Sequence, residues 1–297
     1  MADESVAVIG AISAALRIFE ASRGQGFQMN LNNCKVMGIV NATPDSFYAN
    51  SRSVHVDAAV ELARLHISQG AHVVDIGGQS TRPGADAVGA AEELARVLPV
   101  VEAVANLSGD FEISIDTFYA VVAEAALDAG AHRINDVSAG RRDPALLDLV
   151  RERRAPYILM HAADPTDAGV PGRYLDVVSE VTAFLAERLD TLSGCDVWLD
   201  PGLGFGKTSA ENFSLLRNLG SIAALGALVM VGLSRKRMVY ETLASVPEEA
   251  LNGTTFLHAI ALSQGAHVLR VHDVAPAVEC LALHAAMQAP SGTFVHP

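Results

Sequence analysis

The sequence predicts an α/β fold: a (β/α)8 TIM barrel in a single domain, with an N-terminal helical extension. Three observations lead there. Eight short runs rich in Val, Ile and Leu recur along the chain, separated by Ala-, Leu- and Glu-rich stretches with helical spacing. Polar residues gather at or just past the C-terminal ends of those runs, the face on which barrels build their sites. A Gly-Ala-His triplet occurs three times, at 70–72, 130–132 and 265–267, each leading from a helical stretch into a run. Periodicity alone also admits a doubly wound open sheet. A chain of 297 residues is an ordinary length for one barrel.

Taken in order, residues 1–33 form the extension, 34–290 the barrel and 291–297 a tail. Within the extension, 6–16 is apolar but follows Asp3 and Glu4, where a secretory signal carries positive charge, so it reads as an amphipathic helix. The run 36–40 opens into the polar loop Asn41-Ala42-Thr43-Pro44-Asp45-Ser46-Phe47. A helix is predicted over 55–69, then the run 72–76, which contains Asp75. Glycine in each Gly-Ala-His triplet suits the left-handed end of a helix, and its histidine belongs to the end of the barrel away from the site, a structural position. Next comes Gly77-Gly78-Gln79-Ser80-Thr81-Arg82-Pro83-Gly84. This loop and the first are too polar to pack on themselves and suit closure over a charged ligand. The run 112–115 leads to Asp116 and a helix over 119–129; the runs 132–135 and 157–160 end on Asn135 and Met160, with His161 following. The run 197–199 reaches Asp200, 228–231 leads to Ser234, and 268–271 holds Arg270 and precedes His272.

The segment Asp200-Pro201-Gly202-Leu203-Gly204-Phe205-Gly206-Lys207 joins a carboxylate, three glycines, an aromatic ring and a lysine within eight residues. It lacks the order of a phosphate-cradling P-loop and suits a flat, polar heterocycle. Asp116, Asn135, Asp200 and Lys236 together can satisfy the edge of a pterin or purine, because a carboxylate accepts two parallel N–H bonds and an amide both donates and accepts. Against that, a lone Asp before a helix often caps it, and Asp116 before Thr117 fits that role. Arg270 and His272 share a strand face and suit a phosphate or diphosphate, though Arg270 can equally pair with an interior carboxylate. Asp273 points the other way and reads as structural. Ser234 is placed to open a helix whose N–H groups attract an anion.

The net charge of −13 argues against non-specific nucleic-acid binding, so no nucleic-acid partner is expected and an anionic ligand must be held by a few local cations. Cys34, Cys195 and Cys280 match no zinc or redox spacing and suit a reducing compartment. No run reaches the roughly 20 apolar residues that span a bilayer. A cytoplasmic location is expected.

From about residue 36 to 286 the motifs follow the order of a known family, and the chain resembles dihydropteroate synthase. The resemblance rests on Met37-Gly38-Ile39-Val40-Asn41-Ala42-Thr43-Pro44-Asp45-Ser46-Phe47, Asp75 to Gly84, Ser114-Ile115-Asp116-Thr117 and Ile134-Asn135-Asp136-Val137-Ser138. Leu159-Met160-His161, the 200–207 segment, Ser234-Arg235-Lys236 and Arg270-Val271-His272-Asp273 complete it. It implies a barrel, usually a homodimer, that joins 7,8-dihydropterin-6-ylmethyl diphosphate to 4-aminobenzoate and releases pyrophosphate with Mg2+. By position, Asp116, Asn135, Asp200, Lys236, Arg270 and His272 form the catalytic set. The pterin falls to Asp116, Asn135, Met160, Asp200, Phe205 and Lys236. Asn41, Thr81, Arg82, Arg270 and His272 take the diphosphate, with Asn41 at the metal; Phe47, Pro83, Phe205, Ser234 and Lys236 frame the aminobenzoate.

Three departures from the family pattern stand out. Tyr48-Ala49-Asn50-Ser51-Arg52-Ser53 has no glycine, Gln79 replaces an acidic residue, and Ala162-Ala163-Asp164-Pro165 follows His161 where arginine or glycine is expected. Two other readings follow: a paralogue that binds pterin without turnover, and a pterin-dependent methyltransferase. The second has no use for Arg82-Pro83 or Ser234-Arg235-Lys236.

Overall fold

All eight predicted runs are strands in a computed structural model of the chain, which describes residues 34–42, 52–79, 88–163 and 173–288. They are β1 (Lys35–Asn41), β2 (Val73–Gly77), β3 (Glu112–Asp116), β4 (Arg133–Asp136), β5 (Tyr157–Met160), β6 (Val197–Asp200), β7 (Leu228–Val231) and β8 (Val268–Val271). Every neighbouring pair is parallel, and β8 returns to β1, so the sheet closes. Closure excludes the open doubly wound sheet. Helices α1 (Arg52–Ser68), α2 (Ala90–Ala105), α3 (Ala120–Asp128), α4 (Ala145–Arg153) and α5 (Val177–Asp190) connect the first six strands. Two short helices, α6 (Ser209–Arg217) and α7 (Leu219–Ala223), precede β7; α8 (Arg237–Thr242) and α9 (Leu251–Ser263) precede β8; α10 (Val274–Gln288) follows it. The predicted extension, tail and first two polar loops lie outside the described residues beyond Ala42 and Gln79. No helix among the described residues is long and apolar enough to cross a membrane.

Strand parity sorts the side chains. Val74, Ile76, Ile113, Ile115, Ile134, Leu159 and Leu199 point outward and are buried beneath the helices, each contributing roughly 1.5–3 kcal/mol over an exposed position. The alternate residues Met37, Val73, Ile158, Trp198, Met230 and Val268 fill the barrel interior as a separate cluster. Below that layer lies a charged floor. Arg133 stands 3.7 Å over the Trp198 ring and reaches Asp196 at 2.7 Å, while Lys35 meets Glu112.

The repeated triplet has a structural role at that floor. The Nδ1 atoms of His72, His132 and His267 accept the backbone N–H of Val36, Ile113 and Val229 at 3.1, 3.0 and 3.1 Å. Each ring therefore stands in for a carbonyl at the start of the neighbouring strand and carries its proton on Nε2. The turn before β6, Gly194-Cys195-Asp196, also has a left-handed glycine, at φ +84° beside +91°, +111° and +102° for Gly70, Gly130 and Gly265, but its Cys195 N–H reaches back only to Leu192, where each triplet's alanine closes a wider turn. There Asp196 binds Arg133 instead of an amide.

Candidate active site

The parity that fills the interior with apolar side chains delivers polar ones two residues further on. Asp75, Asp116, Asn135, Met160, Asp200 and Arg270 are inward residues near the C-terminal ends of six different strands. Register sets Asp116 beside Asn135 and Met160 beside Asp200. Arg270 donates from Nε to Asp75 at 2.7 Å and from Nη2 to Asp116 at 2.6 Å. Asn135 donates from Nδ2 to the same Asp75 oxygen at 3.0 Å. Asp75, outside the expected site set, is thus the hub of the cluster. Its signal in the sequence is a carboxylate among Val73, Val74 and Ile76, where a buried strand otherwise has no use for one.

These groups sit under electrostatic strain. Burial pushes the Asp116 carboxyl up to about 7; Arg270 opposes the shift, while Asp75, Glu93 and Asp136 reinforce it. Burial also raises Asp200 against the pull of Lys236 and the Gly202 N–H. Lys236 moves the other way, down to about 8, through burial and despite Asp200. Burial works against the Arg270 charge, but Asp75 and Asp116 more than offset it. Asp75 Oδ1 and Asn135 Oδ1 are buried without a hydrogen-bond partner, a cost of about 1–3 kcal/mol each that a ligand donor relieves. Asp116 does not cap a helix: at the start of α3 the Ala120 N–H goes to Asp143 and the Tyr119 N–H to Thr117.

The 200–207 segment divides into a ligand-facing part and a frame. Asp200 Oδ1 accepts the Gly202 N–H at 2.7 Å, closing a tight turn in which Gly202 has φ +65°. A Cβ at Gly202 would collide with the His161 carbonyl oxygen, so only glycine fits. Lys207 is buried and donates to the carbonyls of His161, Gly202 and Phe205 at 3.1, 2.9 and 3.3 Å. It ties the loop together. Lys236 instead spans the mouth, bonded to the Leu203 carbonyl, with its ammonium 4.6 Å from the Phe205 ring centroid.

The Ser234 reading needs correction. Ser234 opens no helix: α8 starts at Arg237, with Lys236 in the cap position and no side-chain cap bond. Arg235, in a left-handed conformation at φ +53°, breaks the chain between them. Ser234 is buried, and its Oγ lies 3.3 Å from the His272 N–H and 3.2 Å from His272 Nδ1. Arg235 grips Asp273 through two bonds of 2.7 and 2.9 Å and also holds the Pro247 and Glu248 carbonyls. Asp273 is structural, and His272 is left exposed at the mouth. Partial desolvation and then the nearby Arg270 charge lower its pKa below the ordinary imidazole value, which favours the neutral ring.

Phe47, Thr81, Arg82 and Pro83 lie outside the described residues, as do Tyr48 to Ser51, Asp164 and Pro165. Ala162 is described, and its carbonyl accepts from Arg141 at 2.6 Å. Asn41 ends β1 with an exposed side chain. No group of three or more His, Cys, Asp or Glu among the described residues could cage a metal. A single exposed carboxamide fits Mg2+ nonetheless, since that ion keeps its waters and takes substrate phosphate oxygens alongside one or two protein ligands.

Comparison with known proteins agrees with this geometry. A family model described as pterin binding enzyme matches residues 37–272. The chain is 40% identical over 265 residues to dihydropteroate synthase of Escherichia coli, covering 86% of this chain and 93% of that one. It is 46% identical over 245 residues, 80% of its length, to a probable bifunctional folylpolyglutamate synthase/dihydropteroate synthase of Haloferax volcanii, of which it spans only 29%. Among solved structures, Xanthomonas albilineans dihydropteroate synthase with 4-aminobenzoic acid superposes with a TM-score of 0.80 at 43% identity, over 88% of this chain and 95% of that one. The chain belongs to the dihydropteroate synthase family.

Proposed function

We propose that the chain is a transferase of folate biosynthesis that condenses 7,8-dihydropterin-6-ylmethyl diphosphate with 4-aminobenzoate, giving 7,8-dihydropteroate and pyrophosphate. The observation that carries this is the convergence of Asp116, Asn135, Asp200, Lys236 and Arg270 on one mouth, with buried acceptor atoms left unpartnered. Asp116, Asn135, Asp200 and Lys236 bind the polar edge of the pterin, and Met160 and Phe205 line it. Arg270, His272, Asn41, Thr81 and Arg82 hold the diphosphate; Ser234, Lys236, Phe47, Phe205 and Pro83 frame the aminobenzoate. Arg270 then exchanges part of its hold on Asp116 for the anionic leaving group.

The amine nitrogen bonds to the exocyclic carbon as the carbon–oxygen bond to diphosphate breaks. Diphosphate leaves with the electron pair, the pterin ring spreads the positive charge on carbon, and the amine releases one proton. Neutral His272 and the cationic Arg270 stabilise the leaving group, while the barrel walls orient the two partners. Asn41, together with the substrate's phosphate oxygens, would hold Mg2+, which would supply further charge neutralisation of the diphosphate. No strong base is needed, because an aromatic amine attacks in its neutral form.

A homodimer is proposed, and exposed Phe256, Leu283 and Met287 on α9 and α10 support it as an apolar surface available to a second copy. The cytoplasm is the proposed location, as the three free thiols suit. The deciding assay is pyrophosphate release from the pterin diphosphate with and without 4-aminobenzoate and Mg2+. Release matched by dihydropteroate is the expected result. Pterin binding without product would overturn synthase activity in favour of the non-catalytic paralogue.

A further inference from the structure

Behind Asp116, outside the pocket, lies a second buried carboxylate. Glu93 sits in the first turn of α2 with no exposed surface. Its Oε2 accepts from the Gln79 carboxamide at the end of β2. The Thr117 hydroxyl, one residue past Asp116, favours its ionised form, as do Gln79 and Arg96, against the larger effect of burial. Oε1 has no complete hydrogen bond of its own. One turn along the helix, Arg96 donates to the Gly78 carbonyl at 3.0 Å. A side chain at Gly78 would drive into Val97 and Glu93, so the glycine is what lets α2 come this close. The chain just past β2 is therefore locked to the first turn of α2 around one carboxylate, next to Gly77, which stands in register with Asp116 on β3.

We infer that Glu93 is a positioning residue for the pterin site: it fixes the end of β2 against which Asp116 packs and places a carboxylate behind it. The position it supports matters because Asp116 is gripped from the pocket side by Arg270, which also holds Asp75. Two carboxylates facing Asp116, Asp75 within the mouth and Glu93 behind it, oppose its ionisation, with the Asp136 carboxylate adding to them. Arg270 favours it. The balance between these groups sets how much carboxylate is present to accept the pterin N–H groups at neutral pH. Gln79 is the polar link in this chain, at the position where an acidic residue was expected from the resemblance. A carboxamide can donate to Glu93 at any pH, whereas a second carboxyl there would have to carry a proton to do so.

This inference rests on the pterin-site reading, and the test separates the two. The 13C chemical shift of the Asp116 carboxyl is followed against pH in the unliganded wild type and in Glu93→Gln, which keeps shape and polarity but removes the charge. In parallel, kcat/KM for the pterin diphosphate is measured across the same pH range. In Glu93→Gln the Asp116 titration should move to lower pH by about half a unit or more, and the acid limb of kcat/KM should move with it. Glu93→Ala, which also frees Gln79 and Thr117, should lower kcat/KM for the pterin substrate about tenfold while KM for 4-aminobenzoate changes less; rescue by Glu93→Gln marks positioning over mere stability. An unmoved Asp116 titration in a folded Glu93→Gln protein would overturn the inference whatever the activity. A shifted titration in a protein that makes no dihydropteroate would instead keep the Glu93–Asp116 coupling and defeat the functional reading.

Discussion

At the floor of the barrel two cations, Lys35 and Arg133, meet two carboxylates, Glu112 and Asp196. At the mouth three carboxylates, Asp75, Asp116 and Asp200, share Arg270 and Lys236. The same strands build both layers, yet similar groups respond oppositely. Lys35 and Arg133 hold Glu112 below the usual carboxylate range despite its burial, whereas Asp116 and Asp200 are raised above it. By linkage, Glu112 contributes stability above its ordinary pKa near 4.5 that fades as pH falls through its lowered value. Asp116 does the reverse: between 3.8 and about 7 the folded state takes up the proton more readily, so ionisation at neutral pH costs stability. Charge at the floor secures the fold; charge at the mouth burdens it and is kept for a ligand.

The largest expected effect breaks the mouth mechanically. Gly202→Ala places a β-carbon against the His161 carbonyl in a left-handed turn, and should destabilise the protein by about 4 kcal/mol or force the 200–207 turn open. Thermal unfolding and pterin affinity would both register it; a Tm within a degree of wild type would show the turn to be far softer than this. Asp200→Ala removes charge without that collision. Pterin affinity should fall by ~1.5–3 kcal/mol for each hydrogen bond lost, with the fold retained, and unchanged affinity by calorimetry would displace Asp200 from the pterin.

Arg133→Ala sharpens the contrast from the other end. It should cost about 2 kcal/mol of stability through lost stacking on Trp198 and leave pterin affinity alone. If affinity fell together with stability, the two ends would not be independent. The smallest expected effect is selective: Arg270→Ala should weaken a diphosphate-bearing pterin about tenfold more than a bare pterin, one charge-assisted bond's worth. Equal losses for the two ligands, compared by calorimetry, would move the diphosphate elsewhere.

The eight strands were legible because a barrel strand is buried on both faces and must be written in β-branched residues. Site residues at strand ends were legible for the same reason, since Asp116 or Asn135 interrupts that writing. Asp75 and Glu93 were harder. Asp75 acquires its importance only from Arg270, 195 positions away, and Glu93 looks like an ordinary acidic residue in a first helical turn. Lys207 stood out by its surroundings, yet its three carbonyl partners form only once the chain turns back at Gly202. Ser234 misled because a serine following a strand and a glycine resembles a helix start, and the left-handed Arg235 that prevents one leaves no mark in composition.

The three histidine turns at the floor have a consequence for the architecture as a whole. They precede β2, β4 and β8, and in each the imidazole takes an N–H from the odd-numbered strand just before, so β1–β2, β3–β4 and β7–β8 are each locked as a two-strand module. Between β5 and β6 no imidazole stands at that place; Asp196 instead reaches across to Arg133 of β4. The pairwise locking is therefore interrupted at β6, the strand that carries Trp198 below and Asp200 above.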